Sequence, residues 1–102
     1  QTQVILLDEP TTYLDLGHQL EILNLLKELN IKKGITIIMV LHDLNLAARF
    51  SDYMIAMKSG AVIYQGQPND VMTPEILADL FGIKAFIGKD PIDKTPICLR
   101  FE

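Results

Sequence analysis

The sequence predicts an α/β domain whose main sheet is parallel. Residues 4–7 and 35–41 are runs of apolar and β-branched residues, with the length of strands that are buried on both faces. Between them, apolar residues recur at helical spacing over residues 17–33. A strand, a helix and a strand in this order predict a βαβ unit, in which the strands are parallel and the crossover is right-handed.

The predicted helix has clear signals at both ends. Asp15 can accept hydrogen bonds from the free N–H groups of the first turn, and Gly34 suits the left-handed residue that ends a helix. Lys32 and Lys33 lie in the last turn, where the helix dipole favours positive charge. Four apolar residues at helical spacing predict the buried face: Ile22, Leu25, Leu26 and Leu29.

A second helix and a hairpin are predicted next along the chain. Asp43 can cap a short helix that includes Ala47, Ala48 and Arg49. Residues 53–57 and 61–65 flank a turn over residues 58–60 (Lys-Ser-Gly) and predict an antiparallel hairpin. The residues predicted for the core of this hairpin are Tyr53, Met54 and Met57.

Two further short helices and a pair of strands complete the prediction. Pro68 and Pro74 each suit the first turn of a helix, and Thr73 can cap the second of these helices, which Gly82 ends. Short strands are predicted over residues 85–87 and 97–101. The predicted core face of the last helix consists of Ile76, Leu77, Leu80 and Phe81.

Ionisable residues follow both strands of the predicted βαβ unit. Asp8 and Glu9 come directly after the first strand, and His42 follows the second. Open α/β sheets bind ligands at the carboxyl ends of their strands, so these three residues are predicted to converge on a binding edge. Successive strand residues point in opposite directions, so Asp8 could hold a metal ion while Glu9 acts on water, as nucleotide hydrolysis requires. Taken alone, the pattern also fits an acidic turn after a core strand.

Composition limits the classes of protein that the chain can represent. A content of 49% hydrophobic residues is enough for a packed core, and a net charge of −4 without a basic cluster disfavours nucleic-acid binding. Cys98 is the only cysteine, so an internal disulfide and a cysteine-based metal cluster are excluded. We expect Cys98 to behave as a small, buried apolar residue. The chain begins at Gln1 rather than at a methionine, from which we expect it to begin inside a longer protein.

In order and spacing, these motifs resemble the C-terminal part of the ATP-binding subunit of an ATP-binding cassette (ABC) transporter. Residues 4–9 resemble the Walker B strand with its catalytic glutamate, residues 12–15 the D-loop, and His42 the histidine of the H-loop. The sequences Thr-Thr-Tyr-Leu-Asp (residues 11–15) and His-Asp-Leu-Asn (residues 42–45) are similar to those of the ATP-binding subunits of bacterial importers of iron–siderophore complexes, haem or cobalamin. The resemblance covers nearly all 102 residues and implies a partial P-loop NTPase-type sheet with a C-terminal hairpin and short helices.

The resemblance implies a role for each matching residue. Asp8 would bind Mg²⁺ beside the phosphates of ATP, and Glu9 would polarise the attacking water. His42 would contact the γ-phosphate and hold Glu9 and the water in register. Leu14 and Asp15 of the D-loop would lie at the interface of two ATP-binding subunits, although Asp15 could instead be only a helix cap. Tyr13 would support the D-loop by packing, and His18 is expected to have no role.

The resemblance also implies partners and a location. The expected partners are a second copy of the ATP-binding subunit, transmembrane permease subunits and, indirectly, a periplasmic or surface substrate-binding protein, but no nucleic acid. The expected location is the cytoplasmic face of the inner membrane, as a peripheral protein.

Other motifs of the family do not occur in these 102 residues. The chain contains no Walker A loop of the form G-x-x-x-x-G-K-[ST], no Q-loop and no signature motif. Without the phosphate loop, ATP and Mg²⁺ are expected in the full-length subunit, whereas the chain alone is expected neither to bind ATP tightly nor to hydrolyse it. Open apolar strand edges would favour its self-association.

Two other classes of protein also fit parts of the sequence. Helicases and recombination ATPases also have Walker B strands that end in Asp-Glu, but the negative charge and the His-Asp-Leu segment disfavour them. The other alternative is a non-catalytic α/β module for dimerisation or regulation.

Overall fold

A computed structural model describes residues 3–11 and 13–102. It divides at His42 into two compact units, the second of which is Asp43–Glu102. In the first unit, strand β1 (Val4–Asp8), helix α1 (Leu16–Lys33) and strand β2 (Thr36–Val40) follow one another. The two strands pair in parallel, in a register that runs from Val4 opposite Thr36 to Asp8 opposite Val40. The predicted βαβ unit is therefore confirmed.

Local hydrogen bonds at the ends of α1 explain why the helix has these bounds. The Asp15 carboxylate accepts a hydrogen bond from the backbone N–H of His18 at 2.9 Å. At the other end, Gly34 has a φ of 65°, and its N–H donates to the carbonyl oxygen of Asn30 at 3.1 Å. The Asn30 side chain donates in turn to the carbonyl oxygen of Ile35 at 2.8 Å, which connects the helix end to the start of β2. Both predicted caps are confirmed.

The buried face of α1 differs from the predicted one. Leu23 and Leu26 are buried, whereas Leu25 is 51% exposed and Ile22 and Leu29 are half-buried. The prediction was wrong for Leu25 and missed Leu23. Apolar residues occur around most of this helix, so sequence spacing alone fits more than one face.

The strands of the first unit are half-buried on one face and exposed on the other, whereas the sequence predicted burial on both faces. Side chains alternate along each strand, so half-buried residues follow exposed ones. The sheet has two strands and one accompanying helix among the described residues, and a single helix can cover only one face. The exposed apolar residues on the strands are Val4, Leu6, Ile38 and Val40.

The second unit contains three helices and two antiparallel strand pairs within the described residues. The helices are α2 (Leu44–Phe50), α3 (Pro68–Val71) and α4 (Pro74–Phe81). The strands are β3 (Met54–Lys58), β4 (Ala61–Gly66), β5 (Ala85–Lys89) and β6 (Pro96–Phe101), which pair as β3–β4 and β5–β6. The predicted hairpin, the short helices and the strands of the tail are confirmed. Over residues 3–11 and 13–102, β1 and β2 are the only strands that pair in parallel.

A small core joins the elements of the second unit. Its fully buried members are Ala48, Met72, Leu77 and Ala85, against which Met54 and the half-buried Cys98 pack. Tyr53, Met57 and Phe81 are exposed, so their predicted places in the core were wrong. The alternation of β3 turns Met54 inward and Met57 outward, while Tyr53 precedes the strand and Phe81 is the last residue of α4.

Candidate functional site

Glu9 and His42 meet at the carboxyl ends of the two parallel strands. Asp8, the last residue of β1, lies opposite Val40, the last residue of β2. The ladder continues by one hydrogen bond, because the N–H of Glu9 donates to the carbonyl oxygen of Val40 at 3.0 Å. The parallel register thus brings Glu9 beside the segment that leaves β2 and contains His42.

The side chains of Glu9 and His42 are in direct contact. Glu9 Oε1 and His42 Nε2 form a hydrogen bond, although the two residues are 33 positions apart in the sequence. The His42 side chain is 73% exposed and that of Glu9 38% exposed, so the pair is accessible from solvent. A carboxylate hydrogen-bonded to an imidazole can accept a proton and exchange it with its partner, which is suitable chemistry for activating a water molecule.

The backbone of Glu9 has an uncommon conformation. Its φ is 51°, in the left-handed region that L-residues other than Gly, Asn and Asp seldom adopt. This conformation costs about 1–2 kcal/mol in a residue with a Cβ atom. It also ends the extended conformation directly after Asp8, so the Glu9 side chain no longer follows the alternation of β1.

Asp8 contributes an exposed carboxylate at the end of β1. It lies on the same exposed side of β1 as Val4 and Leu6. The described residues contain no group of three His, Cys, Asp or Glu side chains that could hold a metal ion. A single carboxylate nevertheless fits Mg²⁺, which is commonly held by one or two carboxylates together with water and substrate phosphates.

The segment between β1 and α1 contains the other predicted site residues. Thr12 lies outside the described residues, and the N–H of Leu14 donates to the carbonyl oxygen of Thr11 at 3.2 Å. Tyr13 is fully exposed with a φ of 68°, so the prediction that it supports this segment by packing was wrong. Asp15 is confirmed as a helix cap, while its place at a subunit interface stays a prediction.

Sequence reasoning missed two residues that contact this segment. His18, for which no role was expected, places its ring Nδ1 2.9 Å from Asp15 Oδ1. Gln19 donates from its side-chain amide to the carbonyl oxygen of Leu14 at 2.8 Å. The available signal was the spacing of three residues between Asp15 and His18, which places two side chains side by side at a helix start.

The described residues contain no helix that is both long enough and apolar enough to cross a membrane. The sequence matches no protein-family model. It is, however, 59% identical over 101 residues to the iron(3+)-hydroxamate import ATP-binding protein FhuC of Bacillus subtilis, a match that covers 99% of this chain and 38% of that protein. It is 44% identical over 97 residues to the ferric enterobactin transport ATP-binding protein FepC of Escherichia coli, covering 95% of this chain and 36% of that protein.

Solved structures of ABC proteins are also similar to this chain. A protein described as a metal-chelate type ABC transporter, in an inward-facing conformation, superposes with a TM-score of 0.81 and 26% sequence identity. That match covers 98% of this chain and 40% of the other. The ATP-binding cassette MJ0796, bound to ADP and Pi, superposes over 63% of this chain with a TM-score of 0.59 and 41% identity. The chain therefore spans less than half the length of these relatives.

Proposed function

Because this chain belongs to the family of ABC transporter ATP-binding subunits, we propose that it forms the C-terminal part of one and contributes the water-activating half of its ATPase site. The whole subunit would couple hydrolysis of ATP to import of an iron–siderophore or a related metal chelate. The names of the relatives support this class of cargo, since they include iron(3+)-hydroxamate and ferric enterobactin transport proteins.

The contact between Glu9 and His42 is the observation that carries the proposal. Two residues that follow different strands, and that are far apart in the sequence, lie side by side at the strand ends where α/β sheets bind their ligands. In the proposed mechanism, Glu9 accepts the proton of the attacking water, and His42 holds the Glu9 carboxylate and contacts the γ-phosphate. A positioned general base of this kind contributes about 10²–10⁴-fold in rate.

Asp8 is the proposed ligand of Mg²⁺. When bound, the ion would neutralise negative charge on the β- and γ-phosphates. Asp8 reaches solvent at the end of β1, and the backbone between Asp8 and Glu9 turns from extended to left-handed. This turn supports a division in which Asp8 serves the metal and Glu9 the water.

Leu14 and Asp15 are the proposed contact with a second ATP-binding subunit. Both belong to the segment that precedes α1, in which Leu14 is half-buried and the Asp15 carboxylate is exposed. In the whole assembly we place two such subunits on permease subunits at the cytoplasmic face of the inner membrane, with a substrate-binding protein acting indirectly.

The 102-residue chain alone is proposed to be inactive. It lacks the glycine-rich loop whose backbone N–H groups and lysine hold the phosphates in P-loop proteins. The carboxylates and the histidine described above could therefore act only beside a phosphate site that other residues of the subunit provide.

The test compares Glu9→Gln with the unchanged sequence in the full-length subunit that contains this chain. Glutamine keeps the size of the side chain but cannot accept the proton, so we expect turnover to fall at least 10²-fold while ATP binding persists. The matched control is Glu21→Gln, the same change at an exposed position of α1. Release of phosphate and binding of a fluorescent ATP analogue measure the two quantities.

The outcome separates the proposal from its main alternative. Near-normal turnover of Glu9→Gln would exclude Glu9 as the base. If the full-length protein neither bound nor hydrolysed ATP, the non-catalytic dimerisation or regulatory module would be the better description. If the subunit hydrolysed ATP but a chelate-loaded importer complex did not stimulate the hydrolysis, the proposed class of cargo would be wrong. The assignment as an ATPase would then still hold.

A further inference from the structure

Asp15 is held by a neighbour that the proposed mechanism does not use. The Oδ1 atom of Asp15 lies 2.9 Å from the backbone nitrogen of His18 and 2.9 Å from the Nδ1 atom of its ring. With a proton on Nδ1, the ring donates a second hydrogen bond to the oxygen that already caps the helix. Both contacts end on Oδ1, so His18 fixes the direction of the carboxylate and does not engage Oδ2.

The next residue along the helix holds the backbone of the same segment. The backbone N–H of Gln19 donates to the carbonyl oxygen of Asp15 at 2.9 Å. Its side-chain amide donates to the carbonyl oxygen of Leu14 at 2.8 Å, and this contact is partly buried. Gln19 thus binds two successive carbonyl groups, one through its main chain and one through its side chain.

We propose that His18 and Gln19 are positioning residues that hold Leu14 and Asp15 in the orientation in which this segment meets a second subunit. The inference rests on the proposed function, since it concerns coupling between two ATP sites. The two contacts are complementary, because His18 fixes the carboxylate and Gln19 fixes the backbone that precedes it. Loss of either would let Leu14 and Asp15 sample other orientations and would lower the fraction of productive interfaces.

The helix itself does not need the His18 ring. The backbone cap to Asp15 and the first-turn hydrogen bond of Gln19 remain when the two side chains are shortened. Truncation of His18 or Gln19 should therefore change coupling more than folding. This difference is what distinguishes a positioning role from a purely structural one.

The experiment uses the full-length subunit that contains this chain, with the variants His18→Ala, Gln19→Ala and His18→Asn. Asparagine can carry an amide N–H near the position of Nδ1, so it should restore the contact with Asp15. Asn24→Ala is the control, since Asn24 is an exposed residue of the same helix. The readouts are kcat, the Hill coefficient for ATP, the affinity for a fluorescent ATP analogue and the thermal midpoint.

We expect His18→Ala and Gln19→Ala each to lower kcat by about two- to tenfold, the effect of losing one hydrogen bond of ordinary strength. The Hill coefficient should fall toward one, while nucleotide affinity stays within twofold of the wild type. His18→Asn should recover most of the loss. Because His18 acts through Asp15, adding His18→Ala to Asp15→Ala should produce no further decrease.

Two failures can be told apart. If Asp15→Ala itself left turnover and cooperativity unchanged, the proposed interface role of this segment would be wrong, whatever His18 does. If Asp15→Ala impaired both while His18→Ala and Gln19→Ala behaved like Asn24→Ala, the positioning inference alone would be overturned. A fall in thermal midpoint with unchanged kinetics would overturn it too. If an alanine variant failed to fold, Gln19→Glu would replace it in the same comparison. Glutamate has the size of glutamine, but its carboxylate cannot donate a hydrogen bond to the Leu14 carbonyl oxygen and repels it.

Discussion

The packing of α1 can be tested with two leucines that are two positions apart. Leu23 is 1% exposed, whereas Leu25 is 51% exposed on the same helix. The structure therefore predicts that Leu23→Ala destabilises the chain much more than Leu25→Ala. Helical periodicity in the sequence favoured the opposite assignment, which makes the pair a direct test of the fold.

The expected magnitudes follow from the two exposures. Removing a buried leucine side chain costs about 2–5 kcal/mol, since the lost transfer free energy adds to a cavity term. At the half-exposed Leu25, about half of a transfer free energy of ~2 kcal/mol is lost, and no closed cavity forms. The gain in helix propensity from alanine is the same at both positions and cancels. We therefore expect a difference of about 2 kcal/mol, equivalent to ~10 °C in the thermal midpoint of a domain of this size.

The assay is urea denaturation followed by far-ultraviolet circular dichroism, because the chain contains no tryptophan. Equal slopes of the unfolding free energy against urea in both variants would show that the comparison reports stability rather than a change in the unfolded state. The reasoning is refuted if Leu25→Ala costs as much as Leu23→Ala or more.

Contacts and exposed residues elsewhere give three shorter predictions. Asn45→Ala removes hydrogen bonds of 2.7 and 3.2 Å to the backbone of Cys98 and should lower the free energy of unfolding by about 1 kcal/mol in urea titrations; an unchanged midpoint would contradict this. The Tyr64 hydroxyl donates a hydrogen bond to the Asp79 carboxylate, and this bond, with smaller effects of burial and of the Asp79 charge, raises the pKa of the hydroxyl above its ordinary value of 10. The contribution of this hydrogen bond to the stability of the chain is therefore complete below pH 10 and is lost as the pH rises through the raised pKa. Ultraviolet titration of Asp79→Ala should then show one tyrosine that ionises at lower pH than before. Leu6 is 74% exposed on an open sheet face, so Leu6→Ser should reduce self-association of the chain in light scattering, and an equal apparent mass would count against an apolar contact.

The features that could be predicted from the sequence are those that depend on local chemistry. Asp15 and Thr73 cap their helices through hydrogen bonds to residues three positions later, and Gly34 and Gly82 end them with left-handed backbone. Each of these signals acts within one turn of helix, so no knowledge of distant parts of the chain was needed.

The features that could not be predicted depend on what packs against an element. Leu23 and Leu25 are the same residue type on one helix, and only the position of the neighbouring elements decides which is buried. The same holds for β1, where Ile5 and Leu7 are half-buried while Val4 and Leu6 are exposed. The hydrophobicity of a side chain shows that the residue can be buried. How many faces of a strand or helix are covered depends on the elements that surround it.

Glu9 shows how sequence and structure together support a functional assignment. Its place beside His42 follows from parallel pairing, but its left-handed backbone does not, since glutamate has no preference for that conformation. Glycine or asparagine would fill this turn at lower cost, because neither opposes a positive φ as strongly. A glutamate at such a position gives up about 1–2 kcal/mol of backbone stability. The side chain gains the contact with His42 at the strand ends, so the carboxylate rather than the turn accounts for the residue found there.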